Sequence, residues 1–436
     1  MTIEPASEWA RRLRQREVSA EEVLDAHLET IARRNPELNA IVTFTPDLAR
    51  AQAQAADRAA ARGEFLGLLH GLPVAHKDLQ ETQGIRTTFG SPLFADYVPA
   101  FDTEIVRRMK TAGAVCVGKT NTPEFGAGSQ TFNPVFGKTR NPYDLSRTCG
   151  GSSGGAAVAL ATGMIALADG SDTGGSLRNP ASFCGVTGLR TTPGLVPGGT
   201  ALTVNGPMGR NCGDVGLLLA VLAGLTEVPA LVWRRQAPRI AWLGEVEGIP
   251  FEAVVRDTVD NSRARLTALG CLVEDATPDF ADADEAFRVL RAQEFHTLHR
   301  DKPLDRVKET VRQEVERGAR LTRDEIAAAE RLRDGLRARV AAFQAHYEFF
   351  VLPTVQVLPF DIEQPFVTKI SGRELTSYID WMRSCYYISI LGVPALSVPC
   401  GLSPDGLPVG LQIVGRAGAD WDVLRLGKAF EQGIMG

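Results

Sequence analysis

The sequence predicts an α/β protein built on a largely buried sheet. Three observations carry this. From Leu72 to Val196, short apolar runs alternate with Gly-rich turns and helical segments, the pattern of strands buried between helices. Strand-like apolar runs return from Phe349 onward, so one core is interrupted and then completed. The 436 residues are 44% hydrophobic and 23% charged, enough apolar chain for a large core and too little charge for a disordered one.

The elements follow in order. Ser19-Ala20-Glu21-Glu22 is a capping box, and Val23, Leu24, His27, Leu28 and Ile31 continue at helical spacing. Residues 40–44 predict a short strand. Residues 46–62 predict a helix with Pro46 tolerated in its first turn. Buried strands are expected at 73–76, 114–117, 165–168 and 186–189, and helices at 103–112, 155–162 and 213–222. After a strand at 240–243 come Arg-rich helical segments at 251–269, 283–299 and 323–345, which carry no chemical motif. Strands are expected again at 349–352, 395–398 and 409–414. The expected organisation is a single domain over 1–436. It comprises a helical segment (1–65), a core (66–225), an outer helical insertion (226–348) and a C-terminal part (349–436) that completes the core.

A formal net charge of −5 repels phosphate backbones, which argues against nucleic acid as the principal partner. No apolar run reaches the length of a membrane span. The first residues mix Glu4 and Glu8 with Arg11, Arg12 and Arg14 and have no apolar stretch of the kind a signal peptide needs. The seven cysteines show no C-x-x-C pair, so reduced thiols in a cytoplasm are expected.

Two Gly/Ser clusters carry the chemistry. Gly150-Gly151-Ser152-Ser153-Gly154-Gly155 runs into a helix, and Ser171-Asp172-Thr173-Gly174-Gly175-Ser176 follows a strand. Successive exposed N–H groups in such loops form an anion nest, which a hydrolase needs for the oxyanion of a tetrahedral intermediate. Thr173, Gly174, Gly175 and Ser176 are the candidate donors and Ser176 a candidate nucleophile; the alternative is a tight structural turn. Gly150-x-Ser152-x-Gly154 matches a nucleophile elbow in form. The histidines that follow it (His296, His299, His346) all lie in the charged helical region, which argues against that reading. A Walker A loop is excluded because Ala156 stands where Lys is required. The remaining base is Lys77, at the end of an apolar run where burial lowers the cost of removing its proton and makes an amine a usable base at neutral pH. From the residues alone, a solvent-reaching Lys77 paired with Asp78 stays open.

The longer text resolves the alternatives by resemblance. Leu72-Pro-Val-Ala-His-Lys77-Asp78, Gly118-Lys-Thr-Asn-Thr-Pro-Glu-Phe125, Arg140-Asn-Pro-Tyr143, the two clusters through Arg178, Pro180-Ala-Ser-Phe-Cys-Gly185 and Gly406-Leu-Pro-Val-Gly-Leu-Gln-Ile-Val-Gly415 resemble the amidase signature family. The resemblance implies a large twisted mixed β-sheet covered by helices on both faces. It implies a Ser–cis-Ser–Lys triad of Ser176 (nucleophile), Ser152 (bridge) and Lys77 (base), with an oxyanion hole at 173–176 and support from Ser153 and Thr173. No His/Cys/carboxylate cluster has metal spacing, so no metal is expected, and no cofactor is expected either. His76 stands where similar sequences carry an aliphatic residue and is expected to point away from Lys77 as packing.

Expected substrate-binding residues are Phe125, Gly126, Ala127, Gly128, Thr148, Cys149 and Arg178, then Tyr378, Trp381 and Tyr386. Tyr378, Trp381, Met382 and Cys385 share one face if that segment is a helix. Arg178 either binds a substrate carboxylate or pairs with Asp172. An aromatic wall favours aryl amides and also admits carbamates or esters, so urethanase chemistry stays open. The leading expectation is a small-molecule amide hydrolase, monomer or homodimer, with no nucleic-acid or membrane partner. The alternative is a glutaminase subunit resembling that of the tRNA-dependent amidotransferase, working with a partner. The third, a scaffold without activity, is disfavoured by the intact set of three side chains.

Overall fold

The computed structural model describes residues 4–433. Helix α1 (Ala6–Arg14) buries Trp9 and Leu13. Ser19 then closes the expected capping box of α2 (Ala20–Leu38): its Oγ accepts the Glu22 N–H at 3.1 Å, and Glu22 accepts the Ser19 N–H at 2.8 Å. Strand β1 (Ile41–Phe44) leads into α3 (Pro46–Ala61), with Pro46 in the first turn. Next come β2 (Pro73–Lys77), α4 (Glu104–Thr111), β3 (Val115–Thr120), α5 (Gly154–Ala161), β4 (Leu167–Asp172), α6 (Arg178–Cys184), β5 (Thr187–Arg190), β6 (Val204–Gly209) and α7 (Cys212–Leu222). The second half holds β7 (Arg239–Trp242), α8 (Ala253–Asp260), α9 (Arg263–Ala268), β8 (Leu272–Asp275), α10 (Ala283–His299), α11 (Glu309–Ala319) and α12 (Arg323–Gln344). It closes with β9 (Phe349–Pro353), α13 (Arg383–Ser389), β10 (Ala395–Leu402), β11 (Pro408–Val414) and α14 (Asp420–Gln432).

These eleven strands form one mixed sheet in the order β1-β3-β2-β4-β6-β5-β10-β11-β9-β7-β8. Alternation divides its side chains between two cores. Ile240, Trp242, Phe349 and Val351 join one apolar cluster, and Ala241, Leu243, Phe350 and Leu352 join the other. Both faces are therefore covered, as a sheet read as continuous apolar runs requires. Among the described residues, no helix is long and apolar enough to cross a membrane.

Several elements differ from the sequence reading. Strand β4 begins at Leu167 and runs on through Gly170, Ser171 and Asp172, which read as a turn. Strand β6 was hidden because Gly206, Pro207 and Gly209 are poor strand formers, yet it is wholly buried between β4 and β5. The segment 251–269 breaks into α8 and α9, and α6 and α11 are additional helices. The region 226–348 is more than an outer layer: β7 and β8 extend the sheet at one edge, and α10 faces the cleft described next.

Candidate active site

Strands β2 and β4 run parallel and adjacent, pairing Val74 with Leu167 and Ala75 with Ala168. Their C-terminal ends bring Lys77 and Ser171 to one place, with the serine loop at the start of α5 above them. Lys77 is fully buried. Its Nζ lies 2.7 Å from Ser152 Oγ, 2.9 Å from Ser153 Oγ and 3.0 Å from Ser171 Oγ. A neutral amine has two N–H donors and one lone pair, so three hydroxyls satisfy it without a counter-charge. Burial pulls Lys77 down to about 7, against Asp169 and Asp172, which raise it.

The Gly151–Ser152 peptide is cis. Asn179 clamps it from α6, accepting the Gly151 N–H at 3.0 Å and donating to the Gly151 carbonyl at 2.6 Å. Thr131 fixes the loop from the other side, donating to the Gly150 carbonyl at 2.8 Å and accepting the Gly154 N–H at 3.1 Å. Gly155 must lack a side chain, since a Cβ there would stand 2.4 Å from the Asn121 nitrogen. The Ser153 N–H donates to the Ser176 carbonyl at 3.2 Å, which ties the two loops together. No direct hydrogen bond joins the Ser152 and Ser176 hydroxyls in this structure.

Asp172 organises the second loop. Its carboxylate accepts the N–H groups of Gly175 (2.8 Å) and Leu177 (3.1 Å) and the guanidinium of Arg178 (3.0 and 2.9 Å). Burial would raise this carboxyl, but Arg178 and Arg190 hold it far below the usual range. Because the Gly175 N–H is spent on Asp172, the expected nest loses one donor. Thr173, Gly174 and Ser176 line the cleft and Gly175 does not. Gly175 instead takes φ +124°, where a Cβ would press within 2.6 Å of Cys385. The Thr173 hydroxyl lies 2.6 Å from that of Thr203, which donates to Glu294 at 2.6 Å.

The cleft beside Ser176 is lined by Gly126, Gly128, Thr173, Gly174, Phe287, Arg291, Phe295, Tyr378, Ile379, Met382 and Tyr386. Of the expected binding residues, Gly126, Gly128, Tyr378 and Tyr386 line this cleft. Phe125 sits just behind, packed on His299 at 5.0 Å between centroids. Ala127 is buried against Phe295, Val311 and Val315. Thr148 and Cys149 lie beneath the serine loop; Thr148 Oγ accepts the Gly150 N–H at 3.1 Å, and neither reaches the cleft. Trp381 turns away to stack on Phe183 at 5.5 Å and donates to Ser129 at 3.1 Å. The reason is a broken helix: α13 starts only at Arg383, so 378, 381, 382 and 385 do not form one face. Arg178 spends all five N–H groups on Asp172, Ser389, Gln412 and the Cys385 carbonyl, leaving none for a ligand.

Four cleft residues were missed from sequence. Phe287, Arg291 and Phe295 stand at i, i+4 and i+8 on α10, two rings flanking an arginine that the charged surroundings masked. Ile379 precedes the short turn before α13. Phe287 stacks on Tyr386 at 4.5 Å and 17°. Arg291 lies over Phe295 at 4.4 Å and pairs with Glu314 at 2.8 Å. His299 packs on Phe125 and Phe295; burial and Lys302 pull it down to about 4.

Residues 22–424 match the amidase family. A glutamyl-tRNA(Gln) amidotransferase subunit of Moorella thermoacetica is 35% identical over 468 residues, covering 98% of this chain and 96% of that protein. The crystal structure of a bacterial aryl acylamidase of the amidase signature family superposes with a TM-score of 0.89 at 27% identity, covering 99% and 96% of the two chains. The corresponding glutamyl-tRNA(Gln) amidotransferase subunit of Thermotoga maritima superposes with a TM-score of 0.74 at 29% identity, covering 96% and 95%. The chain belongs to the amidase signature family.

Proposed function

From that membership we propose that the chain hydrolyses small-molecule amides through an acyl-enzyme on Ser176. The observation that supports it is the buried amine of Lys77 set against three serine hydroxyls, one loop away from Ser176. Neutral Lys77 takes the Ser152 proton while Ser152 takes that of Ser176. The link between the two hydroxyls closes as substrate seats, since such contacts tighten in the substrate complex. Ser176 Oγ attacks the carbonyl carbon, and the oxyanion is held by the N–H groups of Thr173, Gly174 and Ser176, each donor contributing about 10²–10³ in rate. The relay returns the proton to the leaving nitrogen, the C–N bond breaks, and water releases the acyl group by the reverse path. The same machinery accepts carbamates and esters. The seven unpaired, buried cysteines fit a cytoplasmic setting.

The cleft chemistry favours a neutral substrate with an apolar or aromatic part. Aromatic rings dominate its wall. Among the described residues no carboxylate lines it to receive an α-ammonium, and its one cation, Arg291, is already paired with Glu314. A second reading is a glutaminase component of a tRNA-dependent amidotransferase. The sequence relatives favour it more than the first, while the higher TM-score to the aryl acylamidase and the cleft lining favour the first. Intact-mass detection of the acyl adduct over p-nitroanilides, primary amides, carbamates and glutamine decides. An adduct from aryl amides and none from glutamine supports the first reading. Glutamine turnover that requires a co-purifying partner supports the second, and no adduct with any of them overturns both.

A further inference from the structure

We infer that His76 and Asp169 form a positioning pair behind Lys77, fixing its main chain while cancelling each other's charge next to its amine. The inference rests on the reading of Lys77 as the base. His76 is on β2 and Asp169 on the adjacent β4, and both are buried, at 1% and 0% exposure. The His76 Nδ1 and Asp169 Oδ2 are 2.6 Å apart. The other carboxylate oxygen accepts the Lys77 main-chain N–H at 3.1 Å, so one group holds both the imidazole and the base's backbone. A histidine filling space would not need a buried carboxylate opposite it, and such a carboxylate is costly unless paired.

The electrostatics explain why both members are present. A lone carboxylate at this place attracts the proton of Lys77 and opposes its use as a neutral base. An imidazolium on that carboxylate cancels the field. Burial alone would strip His76 of its proton, but Cys116 and Asp169 outweigh it and hold it up to about 9. The other charged or titratable groups around the pair are Asp78 after β2, Cys116 and Lys119 on β3, and Asp172 on β4. Lys119 is engaged by Thr82 at 2.8 Å and by the Gln80 carbonyl, and Asp78 by Thr88. Asp172 belongs to Arg178. Cys116 faces the imidazole rather than the carboxylate and donates to the Gly118 carbonyl at 3.7 Å, so His76 is the direct side-chain partner of Asp169.

The test is the pH profile of kcat/KM on the substrate that gives the acyl adduct, together with the pH dependence of Ser176 labelling by a fluorophosphonate. His76→Gln leaves the carboxylate unbalanced, so the acidic limb moves up by about one pH unit, with the loss at neutral pH recovered in alkali. Asp169→Asn keeps an acceptor for the Lys77 N–H but removes the charge, so the limb moves down. The double variant returns it near the native position. Limbs that stay put, or that move in the same direction in both single variants, overturn the pair. If one single variant fails to fold, the limb in the other, read by labelling, decides alone in the same way. An active Lys77→Met would instead overturn the reading of the base, whatever these limbs do.

Discussion

The floor and the wall of the cleft are held together by different forces. The floor, from Lys77 through Ser152 to Ser176, consists of small residues locked by hydrogen bonds and buried charge; Asp172 alone receives two backbone N–H groups and two arginines. The wall, from Phe287 to Tyr386, consists of stacked rings and one paired arginine brought together from α10, the segment before α13 and α13 itself. Hydrogen-bonded loops tolerate little displacement, because a missing partner leaves a buried polar group unsatisfied. Apolar contacts adapt when volume changes. The floor should therefore set whether chemistry occurs, and the wall which substrate receives it.

The largest effect that tests this contrast is on the floor. Ser176→Ala should abolish the acyl adduct by intact mass and lower kcat by at least ~10⁴-fold. Residual turnover through a detectable adduct would move the nucleophile elsewhere. Lys77→Met should follow, with a loss of about 10³-fold or more. In the native enzyme the amine is neutral only above its value of about 7, so kcat/KM should rise as pH climbs through that value and level off beyond it. A flat profile between pH 6 and 9 would remove Lys77 from the role.

That contrast also explains what the sequence could reveal. The floor was legible because its residues lie in contiguous motifs whose chemistry depends on spacing: Gly150–Gly155, Asp172–Ser176, and a lysine closing an apolar strand. Asp169 escaped notice, and Ser171 was read only as the opening of the Gly/Ser cluster, because β4 was ended at residue 168, although the two alternate on the same strand. The wall was only half legible. Tyr378 and Tyr386 were found by being aromatic, while Trp381 was misplaced because helical spacing was assumed across a break. Phe287, Arg291 and Phe295 sit in a charged segment, and only packing shows which way they face. In the sheet, β6 was lost to its glycines and proline.

Arg178→Met sharpens the comparison from the side of stability. It leaves Asp172 with Arg190 at 3.3 Å as its remaining ion-pair partner. Breaking a buried pair in this way costs about 3–5 kcal/mol, read as an earlier denaturant midpoint. KM for a carboxylate-bearing substrate should not change selectively, since no Arg178 N–H faces the cleft. A selective KM rise would make it a binding residue after all.

The smallest effect belongs to the wall. Phe287→Leu removes one ring from the stack with Tyr386, beside the Gly174 backbone of the cleft. The catalytic hydroxyls and the Lys77 contacts are untouched, so labelling of Ser176 by a small fluorophosphonate should keep its rate and its pH dependence. What should change is the ratio of kcat/KM between bulky and compact acyl groups, by about 10-fold in favour of the bulky one, the scale one apolar contact contributes to selectivity. If labelling slows as much as turnover does, Phe287 acts on the floor and the division between the two regions fails. If neither rate nor ratio moves, substrates do not touch this wall, and the aromatic reading of the substrate falls with it.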